Sequence, residues 1–153
     1  MSEDPALEAT LADLDRQVDA FARIMSYDDE HLWHEPAPGE WSAAMAMVHM
    51  SDAEVHVAAR LRYVLTAAEP TFANWDEEAH AGLSSERSPE IALAVIAALR
   101  AANADLVRRV SPAALARTAT LPNGEVVDVA ELLARHARHT AAHLEQAQAA
   151  LGS

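Results

Sequence analysis

Apolar residues recur at three- and four-residue spacing along most of the chain, interrupted by short clusters of proline, glycine and serine. From Asp4 or Pro5 onward, Leu7, Leu11, Leu14, Val18, Phe21 and Met25 form one stripe. This is the spacing of an amphipathic helix whose first turn tolerates proline, and it predicts a first helix ending near "SYDDEHLW". "HEPAPGEWS" cannot continue a helix and reads as a shaped loop. Ser42 caps a second helix that runs without a breaker to about residue 68. The connection that follows, "EPTFANWDEEAHAGLSSERS", is long for a compact domain, and such connections tend to be functional or to contain a short helix. Ser88 and Pro89 open a third helix, with Ile91, Ala94, Val95, Leu99, Ala102 and Leu106 expected on its inward face. Asn123-Gly124 in "TLPNGEVVDV" predicts a turn, with a small hairpin around it. Asp128 and Glu131 then occupy the ends of a capping box that starts the last helix at Val129.

Four long helices with few strand formers predict an all-α fold, a four-helix bundle with a long crossover between the second and third helices. The chain of 153 residues suits one domain, 1–153. Its apolar content of 51% with only four glycines suits close-packed helices.

Charge narrows the partners. Eleven arginines, no lysine and 24 acidic residues give a formal net charge of −13, which repels a polyanion over most of the surface, so nucleic acid is not an expected partner. The absence of cysteine excludes disulfides, thiolate ligands and a nucleophilic thiol of the protein's own. No targeting segment or membrane-spanning run is apparent, which makes a cytoplasmic protein with no membrane partner the expectation.

The candidate chemistry lies in "ELLARHARHTAAHLEQ", residues 131–146. At about 100° per residue, Val129, Leu132, Leu133, His136, Thr140, His143, Leu144, Ala147 and Leu151 face inward, with His139 on the edge of that stripe. Histidines four apart stand about 6 Å apart along the axis and can converge on one ion, so His139 and His143 qualify. His136 and His143, roughly 10 Å apart by the same rise, cannot share a metal, while His136 and His139 form a second possible pair. The second helix offers His49, Asp52 and His56 on one stripe. A histidine from there would complete a three-His site with an open position, as in catalytic zinc sites. The pattern alone weighs this evenly against histidines that are merely hydrogen-bonded in the core. His31, His34 and His80 fall in expected loops. Trp41 is expected to pack over the bundle, and Trp33 and Trp75 could either cap the bundle ends or line a pocket mouth.

"EPAPGEWSAAMAMVHMSDAE" resembles the second-helix signature of the DinB-like (YfiT-like) superfamily, a PxPGxWS loop followed by HxxDxE. "HTAAHLEQ" is similar to that family's second signature, His-x-x-x-His with a Gln three residues on. The order and separation of the signatures also agree, so the resemblance covers nearly the whole chain. It implies a bundle, often dimeric, that holds zinc or nickel on His49, His139 and His143, with Gln146 behind a ligating histidine. Met45 and the pair Leu144-Glu145 depart from the commonest pattern of the family, where Glu and Arg-Gly are frequent.

The resemblance further implies a metal-dependent enzyme. Some relatives are transferases of a low-molecular-weight thiol such as bacillithiol, mycothiol or glutathione, and one branch isomerises maleylpyruvate with mycothiol. Three neutral imidazoles leave the full charge of a divalent ion facing the open position, where a thiol would lose its proton near neutral pH. Water there would acquire a pKa of about 7, which suits hydrolysis. The expected function is therefore transfer of a borrowed thiol to a small electrophile. A metallohydrolase and a non-catalytic, stress-associated metal-binding protein are the alternatives. His136 and Asp52 are candidate catalytic groups, and His56 and Gln146 are candidates for supporting the ligands.

Overall fold

The computed structural model describes residues 4–83 and 86–152. Four long helices, α1 (Pro5–Ile24), α3 (Ala43–Thr66), α5 (Pro89–Arg109) and α7 (Val129–Leu151), form a four-helix bundle. Short helices α2 (Asp29–Leu32), α4 (Glu77–Gly82) and α6 (Pro112–Leu115) lie in the connections. Each long helix starts where a side chain can accept its unpaired N–H groups. Asp4 accepts from Ala6 and Leu7, Ser42 from Met45, Ser88 from Ile91 and Asp128 from Glu131. The last pair is half of a capping box, because the Glu131 carboxylate turns instead to Arg135 and Arg138.

Strands β1 (Thr118–Thr120) and β2 (Val126–Asp128) pair antiparallel, with Ala119 opposite Val127. Gly124 in the turn between them has φ +85°, a conformation open to glycine and strained for other residues. This hairpin also holds the crossover. Phe72 N–H donates to Thr120 O, and Thr120 N–H donates to Pro70 O, both at 2.9 Å. The remainder of the crossover contains α4, which packs on α3.

Two apolar clusters fill the interior. One, towards the hairpin, gathers Leu7, Leu11, Leu61, Val107, Val127, Val129 and Leu133. The other gathers Phe21, Ile24, Leu32, Met47, Met50, Ile96, Leu144 and Ala147. Along every long helix the order of residues puts a polar position between the two, namely Gln17, Glu54, Arg100 with Asn103, and Thr140, with His136 one turn before it, all buried. The buried face of α5 differs from the expected Ile91, Ala94, Val95, Leu99, Ala102 and Leu106. It consists of Pro89, Ala92, Ile96, Arg100, Asn103 and Val107, and Ile91 is exposed. The most apolar stripe loses because Arg100 finds buried acceptors on three other helices, a gain that periodicity does not register. No described helix is long and apolar enough to cross a membrane.

Candidate metal centre

His49 lies in the second turn of α3, and His139 and His143 lie one turn apart on the facing α7. The helix packing closes a gap of ninety residues in sequence. His49 Nε2 lies 3.4 Å from His139 Nε2, which lies 3.0 Å from His143 Nε2. All three ligand atoms fall within 4.8 Å of one another, and among the described residues this is the group of three or more such side chains that converges. Nitrogens bound tetrahedrally to one zinc at about 2.0–2.1 Å stand roughly 3.3 Å apart, so the spacing fits a single ion.

The protonation pattern fits as well. His143 Nδ1–H donates to Gln146 Oε1 at 2.8 Å, which leaves its Nε2 lone pair facing the other two imidazoles. Burial, followed by the proximity of His143 and His139, pushes His49 down to about 4. Burial, followed by His143 and His136, pushes His139 down to about 4. Both are neutral at pH 7, the state a ligand requires. Three acceptor nitrogens turned toward one point repel each other unless a cation or shared protons lie between them, and this donor set suits a divalent ion.

Aromatic rings wall the cluster. Trp41 stacks on His143 at 5.8 Å and 21° and approaches His49 at 4.9 Å, so it borders the centre directly instead of only packing over the bundle. Trp75, from the crossover, lies flat against His49 at 5.5 Å and 12°, and against His56 at 4.4 Å and 21°. His80 meets Trp75 edge-on at 5.0 Å. Trp33 packs against the core below and does not join the cluster. An open cleft of about 590 Å³, lined in part by Gly39, Glu40, Trp41, His143 and Gln146, adjoins the centre. Gly39, at φ +82°, makes the bend in the loop that carries Trp41.

A sequence profile of the DinB superfamily matches residues 6–147. The chain belongs to the DinB superfamily. It is 26% identical over 125 residues to a protein of Oceanobacillus iheyensis provisionally named a metal-dependent hydrolase, covering 79% of this chain and 73% of that one. A similarly named protein of Halalkalibacterium halodurans is 25% identical over 130 residues, with 82% and 76% covered. In structure the chain superposes on YfiT from Bacillus subtilis, described as a probable metal-dependent hydrolase with an unusual four-helix bundle topology. The TM-score is 0.87 at 18% identity, covering 98% of this chain and 87% of YfiT. The mycothiol-dependent maleylpyruvate isomerase gives a TM-score of 0.72 at 16% identity, covering 92% of this chain and 60% of the isomerase. These two likenesses establish a shared fold.

Within this DinB bundle the other candidate residues are held apart from the three imidazoles. Both oxygens of Asp52 are clamped by Arg87, at 2.7 and 2.8 Å. His49 Nδ1 is buried with no hydrogen-bond partner among the described residues. His136 Nε2–H donates to Glu54 Oε1 at 2.6 Å in the interior, and its ring centre is 6.5 Å from that of His139. Neither Asp52 nor His136 is therefore placed as a free acid or base beside the cluster. His56 stacks on Trp75, which in turn lies against His49, and burial, with His80 and Arg60 nearby, lowers its pKa.

Three participants escaped the sequence reading. Glu54 and Arg100 form a buried ion pair, and Glu77 Oε2 stands 3.8 Å from His49 Nε2. Glu54 is the last letter of HxxDxE, so its position carried a signal. Arg100 and Glu77 have no local motif.

Proposed function

We propose that the protein is a metal-dependent transferase that takes a low-molecular-weight thiol at the His49–His139–His143 centre and delivers it to a small electrophile. The observation that carries this reading is an open cleft of about 590 Å³ against His143, in a chain with no cysteine. A cleft of this size holds a small organic co-substrate beside His143, and a nucleophilic thiol would have to come from such a co-substrate. When bound, a divalent ion such as zinc or nickel would supply the positive charge that makes a thiol acidic near neutral pH.

The chain's own residues do the rest. Gln146 keeps His143 in the tautomer that presents Nε2. Trp41 and Trp75 shield His49 from solvent, which strengthens electrostatic interaction at the centre. Among the described residues the formally charged group lining the cleft is Glu40, which disfavours carboxylate-bearing thiols. Among the three thiols named above this favours mycothiol, whose sugar and inositol hydroxyls carry no charge, over glutathione and bacillithiol. The mycothiol-dependent isomerase that shares the fold supports this choice.

A metal-dependent hydrolase is the second reading, favoured by the names of the Oceanobacillus and Halalkalibacterium relatives. Transfer assays on metal-loaded protein, with each thiol and a panel of activated electrophiles, separate the two. Thiol-dependent turnover, fastest with mycothiol, is the expected result. No turnover with any thiol, alongside hydrolysis of an activated ester, would replace the transferase with the hydrolase. Inactivity in both assays would leave a metal-binding protein.

A further inference from the structure

We propose that Glu77, carried by the crossover between α3 and α5, is a fourth protein ligand of the centre. The proposal rests on His49, His139 and His143 being the metal ligands. Glu77 Oε2 lies 3.8 Å from His49 Nε2, the same nitrogen that faces His139. It stands on the His49 side of the triangle, half exposed. No arginine pairs with it among the described residues.

Its backbone, by contrast, is held firmly. Two residues before it, Trp75 lies between His49 and His56. Asp76 caps α4 by accepting from Ala79 N–H at 2.9 Å. Three residues after it, His80 packs edge-on against Trp75 and His56, and its Nδ1–H donates to Asp76 O at 2.8 Å. Anchors on both sides thus hold one half-exposed carboxylate beside His49, just outside the group of atoms within 4.8 Å of one another that the three imidazoles form.

Electrostatics supports the assignment. Three imidazole ligands are neutral and leave a divalent ion with its whole charge beside the buried His49, where an unbalanced charge is costly. A carboxylate at this position halves the charge. It also adds an oxygen donor that can exchange for an incoming thiol or water, because one flexible side chain tethers it and the other three ligands stay fixed on helices.

The test is metal affinity of the purified full-length protein, by chelator competition with Zn(II) and by the visible spectrum with Co(II). Glu77→Gln, which keeps the shape and removes the charge, is expected to weaken Zn(II) binding about tenfold or more and to change the Co(II) bands. Glu78→Gln, in the same turn, is expected to leave both unchanged. Binding by Glu77→Gln within about twofold of the parent, with the same spectrum, would overturn the proposal. An equal loss in Glu78→Gln would overturn it too, since the effect would then be general surface charge. His139→Ala separates the two levels. If it loses metal while Glu77→Gln keeps it, only the fourth ligand is wrong; if it keeps full affinity, the three-His reading falls and this proposal falls with it.

Discussion

Two polar groups interrupt the apolar interior of this bundle, and they treat their hydrogen-bonding capacity in opposite ways. In the layer of Gln17, Glu54, Arg100, His136 and Thr140, donors meet acceptors. Arg100 donates to Glu54, to Leu14 O at 2.7 Å and to Thr140 Oγ1 at 2.9 Å, and Gln17 donates to Ala137 O at 3.0 Å. Burial alone would raise the Glu54 pKa, but the hydrogen bond and charge of His136, with the Arg100 guanidinium, hold it below the usual range. Around His49, His139 and His143, acceptors meet acceptors. The first group, in which Glu54 Oε2 alone of the carboxylate's two oxygens has no partner among the described residues, ties helices together through paired donors and acceptors, whereas a convergence of lone pairs suits a binding site. Histidines one turn apart on α7 thus have different surroundings: His136 pairs with Glu54 in the interior, while His139 and His143 converge with His49.

The sharpest way to break this contrast is to remove one member of each group. His139→Ala should leave no stoichiometric metal by elemental analysis of protein prepared without a nickel column, while the metal-free fold melts near the parent temperature. Full metal retention would end the ligand assignment. Arg100→Ala should do the reverse. It strands the Glu54 carboxylate in the core, and urea unfolding should show a loss of about 3–5 kcal/mol, with metal stoichiometry of the folded fraction unchanged. A loss below about 1 kcal/mol would mean that the layer contributes little.

Acid distinguishes the groups more gently. His49 and His139 lie near 4 in the folded chain and near the ordinary 6.5 when unfolded. Between these values the unfolded chain binds more protons, so the contribution of these two imidazoles to the stability of the metal-free protein falls as pH drops from about 6.5 towards 4 and is flat above. Part of each imidazole is solvated and the two cannot be charged independently, so the loss should be roughly 1–3 kcal/mol. Denaturant titrations at intervals across that range measure it, and stability independent of pH would contradict buried neutral imidazoles. The smallest effect belongs to Gln146→Ala. Without the acceptor that holds His143 in place, metal affinity should fall about tenfold, and an unchanged chelator-competition curve would show that Gln146 is dispensable.

Most of the architecture was legible in the chain. The caps Asp4, Ser42, Ser88 and Asp128 and the apolar spacing mark the four long helices, because capping and amphipathicity are local properties. The four-residue interval of His139 and His143 is likewise local, and this made the pair recognisable before any packing was known. The α5 face was misread for a complementary reason. Periodicity ranks positions by hydrophobicity, so it favoured Ile91 and Leu99 over Arg100, whose burial depends on Glu54 and Thr140, 46 and 40 residues away.

What the linear order could not hold was the meeting of side chains from different helices. His49 reaches His139 across ninety residues, Trp75 enters the wall of the centre from the crossover, and Asp52 turns to Arg87 instead of His49. Spacing rules act over one or two turns of a helix, while the partner of a buried polar atom is chosen by whatever the bundle brings within about 3 Å. The pair on α7 is therefore written in the sequence, and the centre that it completes exists only once α3 and the crossover have packed against it.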